Sequence, residues 1–304
     1  FISHDLEEVI EQSDNISVLR DGVKIGSITK EEATPDRLKA LMVGREIGDS
    51  YYRTDYGEKV SDEVVLSAKN VTVKGQIENL NLDLHKGEIL GFSGLMGAGR
   101  TETARALFGA DPIDSGDIYI NGKKVTIKSP QDAVKYGIGY LSEDRKRYGI
   151  VVQKSVAENT TMATLEKFMS GPFIDKKKEN KVAQEYVEQL ATKTPGTDQL
   201  VVNLSGGNQQ KVVIAKWLAR DCDILIFDEP TRGIDVGAKN EIYKLMNQLA
   251  AEGKAIIMIS SEMTEILRMS DRIVVMCEGK KTGELDISEA TQENIMNMAT
   301  REIE

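Results

Sequence analysis

A glycine-rich segment, Gly94–Thr101, lies between an apolar run and a stretch with helical character. Its sequence, Gly-Leu-Met-Gly-Ala-Gly-Arg-Thr, matches the phosphate-binding pattern GxxxxGK followed by Ser or Thr, except that Arg100 replaces the lysine. Glycines let such a loop curl so that its N–H groups point at phosphate oxygens, and the positive end of the next helix adds to the attraction. The predicted phosphate contacts are Gly94, Gly97, Ala98, Gly99 and Arg100. Thr101 is predicted to offer its hydroxyl to Mg²⁺.

Two carboxylates follow a second apolar run. Ile224–Phe227 is short and apolar, and Asp228 and Glu229 come directly after it. Ligands of open α/β sheets bind outside the carboxyl ends of the strands, so this pair is expected near the glycine loop. We predict that Asp228 holds Mg²⁺ through water and that Glu229 polarises an attacking water.

A third polar segment, Leu204–Lys211, precedes the acidic strand and has the sequence Leu-Ser-Gly-Gly-Asn-Gln-Gln-Lys. Ser205 is a natural N-cap for the helix that follows. Gly206 and Gly207 leave the first amide groups of that helix open, and such a helix end binds anions. The segment therefore predicts a second phosphate-binding element.

An alternation of buried strands and helices must position these segments. The predicted strands are Ile89–Ser93, Ile224–Asp228, Ala255–Ser260 and Arg272–Met276. Helical patterns lie between them, at Ala133–Tyr136, Asn180–Thr192, Gln209–Arg220 and Lys239–Glu252. This order predicts an α/β domain with a mostly parallel sheet.

A smaller antiparallel sheet is predicted beside the parallel one. Val64–Val73 and Ile77–Leu84 alternate apolar and polar residues and end in turn residues. Ile118–Ile120 and Lys124–Ile127 are joined through Asn121-Gly122, a strong hairpin signal.

The beginning of the chain recurs near its end. Phe1–Gly26 aligns with Met258–Gly283 without a gap, and after a one-residue slip the match resumes with Met42 opposite Met298. Identical pairs include Glu8 with Glu265, Asp14 with Asp271, and Val18 with Val275. A repeat of this length predicts a duplicated domain of which the first copy is nearly all missing. We predict that residues 1–47 are the tail of that copy, 48–62 a linker, and 63–304 the second copy.

The charge balance excludes some functional classes. The formal net charge is −10 and the isoelectric point lies near 5.0, whereas a nucleic-acid-binding protein needs a basic face. No apolar run in the sequence approaches the roughly 18 residues that predict a membrane-spanning helix.

Together the motifs resemble the ATP-binding-cassette (ABC) ATPases. More narrowly, they resemble the carboxyl-terminal half of the duplicated ATP-binding subunit of bacterial monosaccharide importers, of ribose, galactose or xylose type, with the ribose type fitting best. The motifs that carry the resemblance are GLMGAGRTE (94–102), SEDRKR (142–147), LSGGNQQK (204–211) and DEPTRGIDVGAK (228–239). It implies a P-loop ABC ATPase domain with a mostly parallel sheet, a small antiparallel β subdomain and a helical subdomain at about 143–200.

The resemblance also implies how ATP and Mg²⁺ are held. In this family the signature of one domain closes over ATP bound by the phosphate loop of the other. The implied contacts from this chain, beyond the glycine loop, are Glu143, Ser205, Gly206, Gly207, Gln209 and Asp235. The implied catalytic residues are Glu229, Ser261 and His4, since His4 aligns with Ser261 and matches the family's switch histidine.

Four departures from the family pattern cluster at one ATP site. Arg100 replaces the loop lysine, and a planar guanidinium is not equivalent to a compact ammonium. Glu143 lies near the position of a glutamine, Val73–Ile77 lacks the aromatic residue that stacks on adenine, and Ser261 replaces the histidine. We expect the site built with His4 to hydrolyse ATP, while the site in residues 63–304 binds ATP and turns over slowly or not at all.

The leading hypothesis is an ATPase fragment that energises monosaccharide import and is weak or inactive when isolated. The implied partners are the first ATPase domain of the same subunit, a transmembrane sugar permease and, indirectly, a periplasmic or extracellular sugar-binding protein, but no nucleic acid. The implied location is the cytoplasmic face of the membrane, as a peripheral protein. A non-hydrolysing regulatory nucleotide-binding module and a soluble ABC ATPase without a transport role remain alternatives.

Overall fold

The structure is a computed structural model that describes residues 6–20, 23–34, 37–38, 41 and 60–300. In chain order the strands are β1 Asn15–Arg20, β2 Val23–Thr29, β3 Val64–Val73, β4 Ile77–His85, β5 Ile89–Gly94, β6 Ser115–Ile120, β7 Lys123–Val125, β8 Ile138–Leu141, β9 Met169–Ser170, β10 Phe173–Ile174, β11 Ile224–Asp228, β12 Ala255–Ile259, β13 Arg272–Cys277 and β14 Lys280–Asp286. The α-helices are α1 Leu6–Gln12, α2 Arg100–Leu107, α3 Pro130–Lys135, α4 Val156–Thr161, α5 Lys176–Gln189, α6 Gly206–Ala219, α7 Val236–Ala251, α8 Met263–Met269 and α9 Gln292–Ala299.

The main sheet has six strands in the order β14-β13-β5-β12-β11-β8. All neighbouring pairs are parallel except β13 and β14 at one edge. Every residue of β8, β11 and β12 is buried, as expected for parallel strands that are covered on both faces. The prediction of an α/β domain with a mostly parallel sheet is therefore confirmed.

The second sheet is antiparallel and has the order β4-β3-β6-β7, again as predicted. Asn121 and Gly122 both have positive φ, which matches the right-handed twist of the β6–β7 hairpin. The second hairpin strand ends at Val125 rather than at the predicted Ile127. The chain leaves the sheet there because Ser129 must reach the N-cap of α3, where its hydroxyl accepts from the backbone N–H of Asp132.

The region predicted as a helical subdomain contains α4 and α5 together with shorter helical turns. The short helices are Arg145–Gly149, a π-helical turn, and the 3-10 segments Met162–Phe168 and Val201–Asn203. Ser155 and Glu158 form a capping box that fixes the start of α4. The boundaries at residues 143 and 200 stay a prediction.

The sequence repeat is also a structural repeat. Adding 257 to the residue numbers that bound α1, β1 and β2 gives the bounds of α8, β13 and β14. The pairing register shifts after Val18 in the first hairpin and after Val275, its counterpart, in the second. The first copy has its own small core, formed by Ile16, Val18, Ile28 and Leu38. Each of these occupies the position of a buried residue in the second copy, namely Ile273, Val275, Leu285 and Ile295.

The predicted one-residue slip is not present as far as the structure describes the first copy. Leu41 packs on the first small core, as Met298 packs on the main core at the equivalent position. With the offset of 257 residues kept, Met298 corresponds to Leu41 in the described part of the chain. Residues 42–47, on which the rest of that match rests, lie outside the described residues, as do residues 48–59 of the predicted linker.

The two hairpins differ in their surroundings. β13 pairs with β5 as well as β14, whereas in the described part of the chain β1 pairs with β2 alone. At the start of β13, Arg272 Nε donates to Glu88 Oε1 at 2.8 Å, and Arg272 Nη2 donates to the Asp83 carbonyl at 2.6 Å. The equivalent residue of β1 is Asn15, which has no guanidinium.

Among the described helices, none combines the length and the apolar character that crossing a bilayer requires.

A buried lysine joins α6 to the π-helical turn. Lys216 Nζ donates to the Gly149 carbonyl at 2.6 Å and lies 4.4 Å from the centroid of the Trp217 ring. The residue is 6% exposed. Burial disfavours the ammonium form and lowers the pKa of Lys216 to about 8.

This environment predicts a specific pH dependence of stability. The pKa of Lys216 is lower in the folded chain than in the unfolded one, so between about pH 8 and 10.5 the unfolded state binds more protons. Stability from this group should therefore rise with pH in that window. Between pH 7.5 and 9.5 the free energy of unfolding of the wild type should gain ~2 kcal/mol relative to Lys216→Met.

Urea denaturation at several pH values measures this difference. Lys181→Met, which removes an exposed lysine of α5, is the matched control and should follow the wild-type profile. Parallel pH profiles for the wild type and Lys216→Met would contradict the expectation.

Candidate nucleotide-binding site

The glycine loop connects the central strand β5 to α2. Gly94 ends β5 with φ of 151°, and a Cβ built on it would lie 2.4 Å from the Met276 carbonyl oxygen of β13. Gly99 has φ of 96° and occupies the N-cap of α2. Both positions require glycine, one for close approach to the neighbouring strand and one for a left-handed conformation.

The N-terminus of α2 is open toward the loop. Gly99 has no side chain with which to cap the helix, so the first N–H groups of α2 are not capped by a side chain. Thr103, one turn into the helix, turns its hydroxyl back to the Gly99 carbonyl at 2.8 Å and fixes the loop end. The helix start therefore presents positive partial charge where the sequence predicts phosphate.

The predicted metal residues meet directly. Thr101 Oγ1 donates to Asp228 Oδ1 at 3.1 Å. The other carboxylate oxygen, Oδ2, accepts from the Tyr140 hydroxyl at 2.8 Å. Tyr140 is placed there by the parallel pairing of β8 with β11, in which it lies opposite Ile226.

These oxygens fit Mg²⁺ held mainly by water and phosphate. A hydroxyl and one carboxylate are the hard oxygen donors that Mg²⁺ uses at phosphate sites, where it retains several waters. Within the described residues no group of three or more His, Cys, Asp or Glu side chains could hold a metal ion. Thr101 and Asp228 are therefore the described side chains that would hold Mg²⁺ at this site.

Both acidic residues have raised pKa values because they are buried. Burial raises the pKa of Asp228, against the hydrogen bonds from Tyr140 and Thr101. Burial likewise raises the pKa of Glu229, against the Ser261 hydroxyl and the Arg100 charge. Raised pKa values mean that burial disfavours the charged form of both carboxylates, and a nearby cation would favour it.

Glu229 has an unusual backbone conformation. Its φ is 51°, in the left-handed region, although it is not glycine. The Glu229 N–H donates to the Ile259 carbonyl at 2.9 Å, and Ser261 Oγ donates to Glu229 Oε2 at 3.1 Å. The strained residue is thus fixed from both its backbone and its side chain, as is common at functional sites.

Arg100 is directed toward the same segment. Its Nη1 donates to the Ser260 carbonyl at 2.7 Å. The guanidinium therefore bridges the glycine loop and the end of β12, next to Ser261 and Glu229. One N–H group of the guanidinium is therefore already bonded to the protein. The remaining N–H groups have fixed directions, whereas the three N–H groups of a lysine ammonium can rotate.

A cavity of about 790 Å³ opens beside the loop, between the β3–β4 turn and the start of α2. Its described lining residues include no aromatic side chain. They are Thr72, Lys74, Gly75, Gln76, Ile77, Glu78, Gly97, Gly99, Glu102, Asp114, Glu278 and Gly279. The turn where the sequence lacks an adenine-stacking residue thus lines the space next to the phosphate loop.

The Leu204–Lys211 segment forms the start of α6, with Ser205 at the N-cap. Contrary to expectation, the Ser205 hydroxyl makes no cap bond to the helix; it accepts from Asn208 Nδ2 at 2.8 Å. Close packing explains the two glycines. A Cβ on Gly206 would lie 2.7 Å from Arg145 Nη2, and one on Gly207 would lie 2.6 Å from the Ala238 Cβ.

Three further predicted contacts are engaged within the chain. Glu143 forms an ion pair with Arg232, in the turn after Glu229. Gln209 is buried, and its amide donates to the Val201 carbonyl at 3.1 Å, so this side chain supports α6 instead of facing outward. Asp235 caps α7 by accepting from the Ala238 N–H at 3.0 Å.

His4, the remaining predicted catalytic residue, lies outside the described residues. The structure brings Arg100, Thr101, Asp228, Glu229 and Ser261 together. By contrast, Ser205–Gly207 lie next to a different group of residues, which includes Arg145, Asn208, Gly233, Ile234 and Ala238.

Sequence reasoning missed Tyr140 and Arg145. The role of Tyr140 depends on the pairing of β8 with β11, and the sequence does not give the order of the strands in the sheet. Arg145 Nη1 donates to the Arg232 carbonyl at 3.1 Å, and its Nε lies 3.5 Å from Gln209 Oε1. Nothing in the sequence pattern shows that this basic segment turns inward.

Solved structures share this fold. A nucleotide-free ATP-binding cassette from an ABC transporter superposes with a TM-score of 0.66 at 22% identity, covering 78% of this chain and 96% of that one. The dimeric post-hydrolysis cassette MJ0796, bound to ADP and Pi, gives a TM-score of 0.63 at 21% identity, covering 73% of this chain and 98% of its own. At this level of identity the likeness shows the fold alone.

Curated relatives are closer in sequence. A Burkholderia ambifaria protein named "Putative ribose/galactose/methyl galactoside import ATP-binding protein 3" is 53% identical over 302 residues. A Clostridium tetani protein named "Ribose import ATP-binding protein RbsA" is 47% identical over 300 residues. The alignments cover 99% and 98% of this chain but 58% and 59% of the relatives, so the chain spans less than two thirds of their length.

The model of the family described as "ABC transporter" matches residues 77–232, just over half of the chain. The match includes the glycine loop, the Leu204–Lys211 segment and the Asp228-Glu229 pair, whose geometry is described above. The chain belongs to the ABC transporter family.

Proposed function

We propose that this chain binds ATP together with Mg²⁺ and forms part of a transport ATPase. The observation that carries the proposal is the 3.1 Å contact between Thr101 Oγ1 and Asp228 Oδ1, directly below an open helix start. When bound, Mg²⁺ would neutralise phosphate charge. Thr101 and Asp228 would hold it, the loop N–H groups would bind phosphate, and Glu229 would orient water.

We propose further that the active unit contains a second cassette. The repeat supports this, because residues 6–41 reproduce the element string that completes the sheet of residues 60–300. β1 corresponds to β13, whose other neighbour is β5, so a strand like β5 would complete the first copy. The greater length of the relatives is consistent with such a partner.

The names of the relatives favour sugar import as the process. Both relatives are named for import of ribose or related sugars. The proposed role of this chain is therefore to energise monosaccharide import through a transmembrane permease. A separate sugar-binding protein would deliver the sugar to that permease. The chain would then act at the cytoplasmic face of the membrane. Its acidic net charge argues against a nucleic-acid partner.

The two ATP sites of such a pair would be unequal. In the site of this chain, one N–H group of Arg100 is bonded to the Ser260 carbonyl. Ser261 is the residue that aligns with His4 of the first copy. Loss of a single preorganised donor commonly costs ~10²–10³ in rate. We therefore propose that this site holds ATP with slow turnover, and that Ser205–Gly207 completes the faster site built on the other cassette.

Thr101→Val tests the metal-dependent part of ATP binding. Valine keeps the shape but removes the hydroxyl, so affinity for a fluorescent ATP analogue in Mg²⁺ should fall at least about tenfold. With EDTA in place of Mg²⁺, wild type and variant should bind equally. Thr300→Val, which removes a hydroxyl near the end of α9, is the control. Equal affinities in Mg²⁺ would contradict the proposed metal role.

Glu229→Gln tests the unequal sites in the longer protein assembled with its membrane partners. If the site of this chain turns over slowly, ATP hydrolysis by the complex should change by less than about twofold, although a catalytic base commonly contributes ~10²–10⁴. The equivalent substitution in the other cassette should abolish turnover. A hundredfold loss from Glu229→Gln would show that this site hydrolyses ATP.

A further inference from the structure

A buried carboxylate that belongs to none of the phosphate-binding motifs lies behind the site. Glu265, in the first turn of α8, is 3% exposed. Its Oε2 accepts from Ser260 Oγ at 2.6 Å. Its Oε1 accepts from the hydroxyls of Thr231 and Tyr243, and Lys239 Nζ lies 3.5 Å from the same oxygen.

These donors come from three different segments. Thr231 follows Glu229 by two residues, in the turn that also carries Arg232. Ser260 ends the β12 segment, and its carbonyl accepts from Arg100. Tyr243 and Lys239 lie on α7. Glu265 thus connects the segment after the acidic pair, the segment that carries Ser261, and the helix packed behind them.

Because these groups are buried, each hydroxyl donor needs an acceptor within the protein. A carboxylate accepts only, so all of its donors are oriented toward it, whereas an amide would present its own N–H groups to one side of the cluster. Burial and the Glu265 charge raise the pKa of the Tyr243 hydroxyl, so it remains a donor. Removing the charge leaves several buried donors without a good acceptor, and this lowers the free energy of unfolding or displaces the segments that carry the donors.

The internal repeat retains this residue while the neighbouring position changes. Glu8 aligns with Glu265, and Ser3 aligns with Ser260, so the same residue types occur at both positions of the repeat. The residue after that serine is His4 in one copy and Ser261 in the other. The carboxylate is therefore kept independently of the group that it helps to present.

We propose that Glu265 is a positioning residue for the γ-phosphate side of the ATP site. By fixing Ser260 and Thr231 it holds the Ser260 carbonyl under Arg100 and sets the segments that carry Ser261 and Glu229. This inference rests on the proposed function, because it assumes that the loop and the acidic pair hold ATP. The glycines of the loop make no described hydrogen bond with Glu265, so the contacts of their N–H groups to the α- and β-phosphates should not depend on it.

A residue that only stabilises the fold would affect ADP and ATP alike. A positioning residue should affect ATP selectively, because ATP alone carries the γ-phosphate. In Glu265→Gln we expect the affinity for Mg²⁺-ATP to fall about tenfold, the loss expected from a disrupted set of charged hydrogen bonds, while the affinity for ADP stays within about twofold. Isothermal titration calorimetry with both nucleotides on the chain measures the ratio.

Glu262→Gln is the matched control. Glu262 lies three residues earlier, also pairs with Lys239, but is exposed, so its loss should leave both affinities unchanged. Ser260→Ala provides a second route that removes one donor and keeps the charge. It should weaken ATP binding in the same direction, and in a Glu265→Gln background it should add little, because the two side chains act as a unit.

The outcomes separate this inference from the function on which it rests. If the wild type binds no Mg²⁺-ATP, the proposed function fails and this inference fails with it. If the wild type binds ATP more tightly than ADP and Glu265→Gln keeps that ratio, the positioning role alone is wrong. Should Glu265→Gln fail to fold, Ser260→Ala decides: an unchanged ratio of ATP to ADP affinity overturns the role.

Discussion

The site depends on a carboxylate that is held inside the protein at the end of a strand. Asp228 is fully buried, yet each of its oxygens has a hydroxyl partner, Thr101 from the glycine loop and Tyr140 from the neighbouring strand. An unpaired charge at this depth would cost several kcal/mol or become protonated. The two hydroxyls compensate part of that cost and leave a site at which a cation is strongly favoured. The parallel sheet is what brings these three residues together.

Around Asp228, further polar groups are joined by hydrogen bonds at the carboxyl ends of the parallel strands. Arg100 bonds to the backbone of Ser260, Ser261 bonds to Glu229, and Glu265 holds the segments behind them. Two of these contacts, Arg100 with Ser260 and Ser261 with Glu229, join residues that are far apart in the sequence. The geometry of this edge is therefore a property of the packed domain, and Glu265 of α8 joins it to Tyr243 of α7 through hydrogen bonds.

The sequence was sufficient for the parts of the molecule that follow local rules. The strand Ile224–Asp228 and the glycine loop were predictable because apolar runs and glycine spacing are local signals, and the antiparallel sheet followed from alternation and the Asn121-Gly122 turn. The ABC family was predictable from the combined motifs. Tyr140 and Arg145 were not, since their roles depend on which strands become neighbours and on an inward turn of a basic segment. Gln209 was placed in a motif correctly but turned inward, because burial of α6 decides its direction.

The repeated hairpin has a consequence for how the chain can fold. Two hairpins with the same lengths, the same bulge and closely matched apolar positions can both meet the geometric needs of the open edge of β5. A folding chain must therefore discriminate between near-identical candidates, a situation that favours swapped or trapped intermediates. The two hairpins differ at Arg272, whose guanidinium bonds to Glu88 and to the Asp83 carbonyl, whereas the first hairpin has Asn15 at that position. These hydrogen bonds can form only when the β13 hairpin, and not the β1 hairpin, lies beside β5.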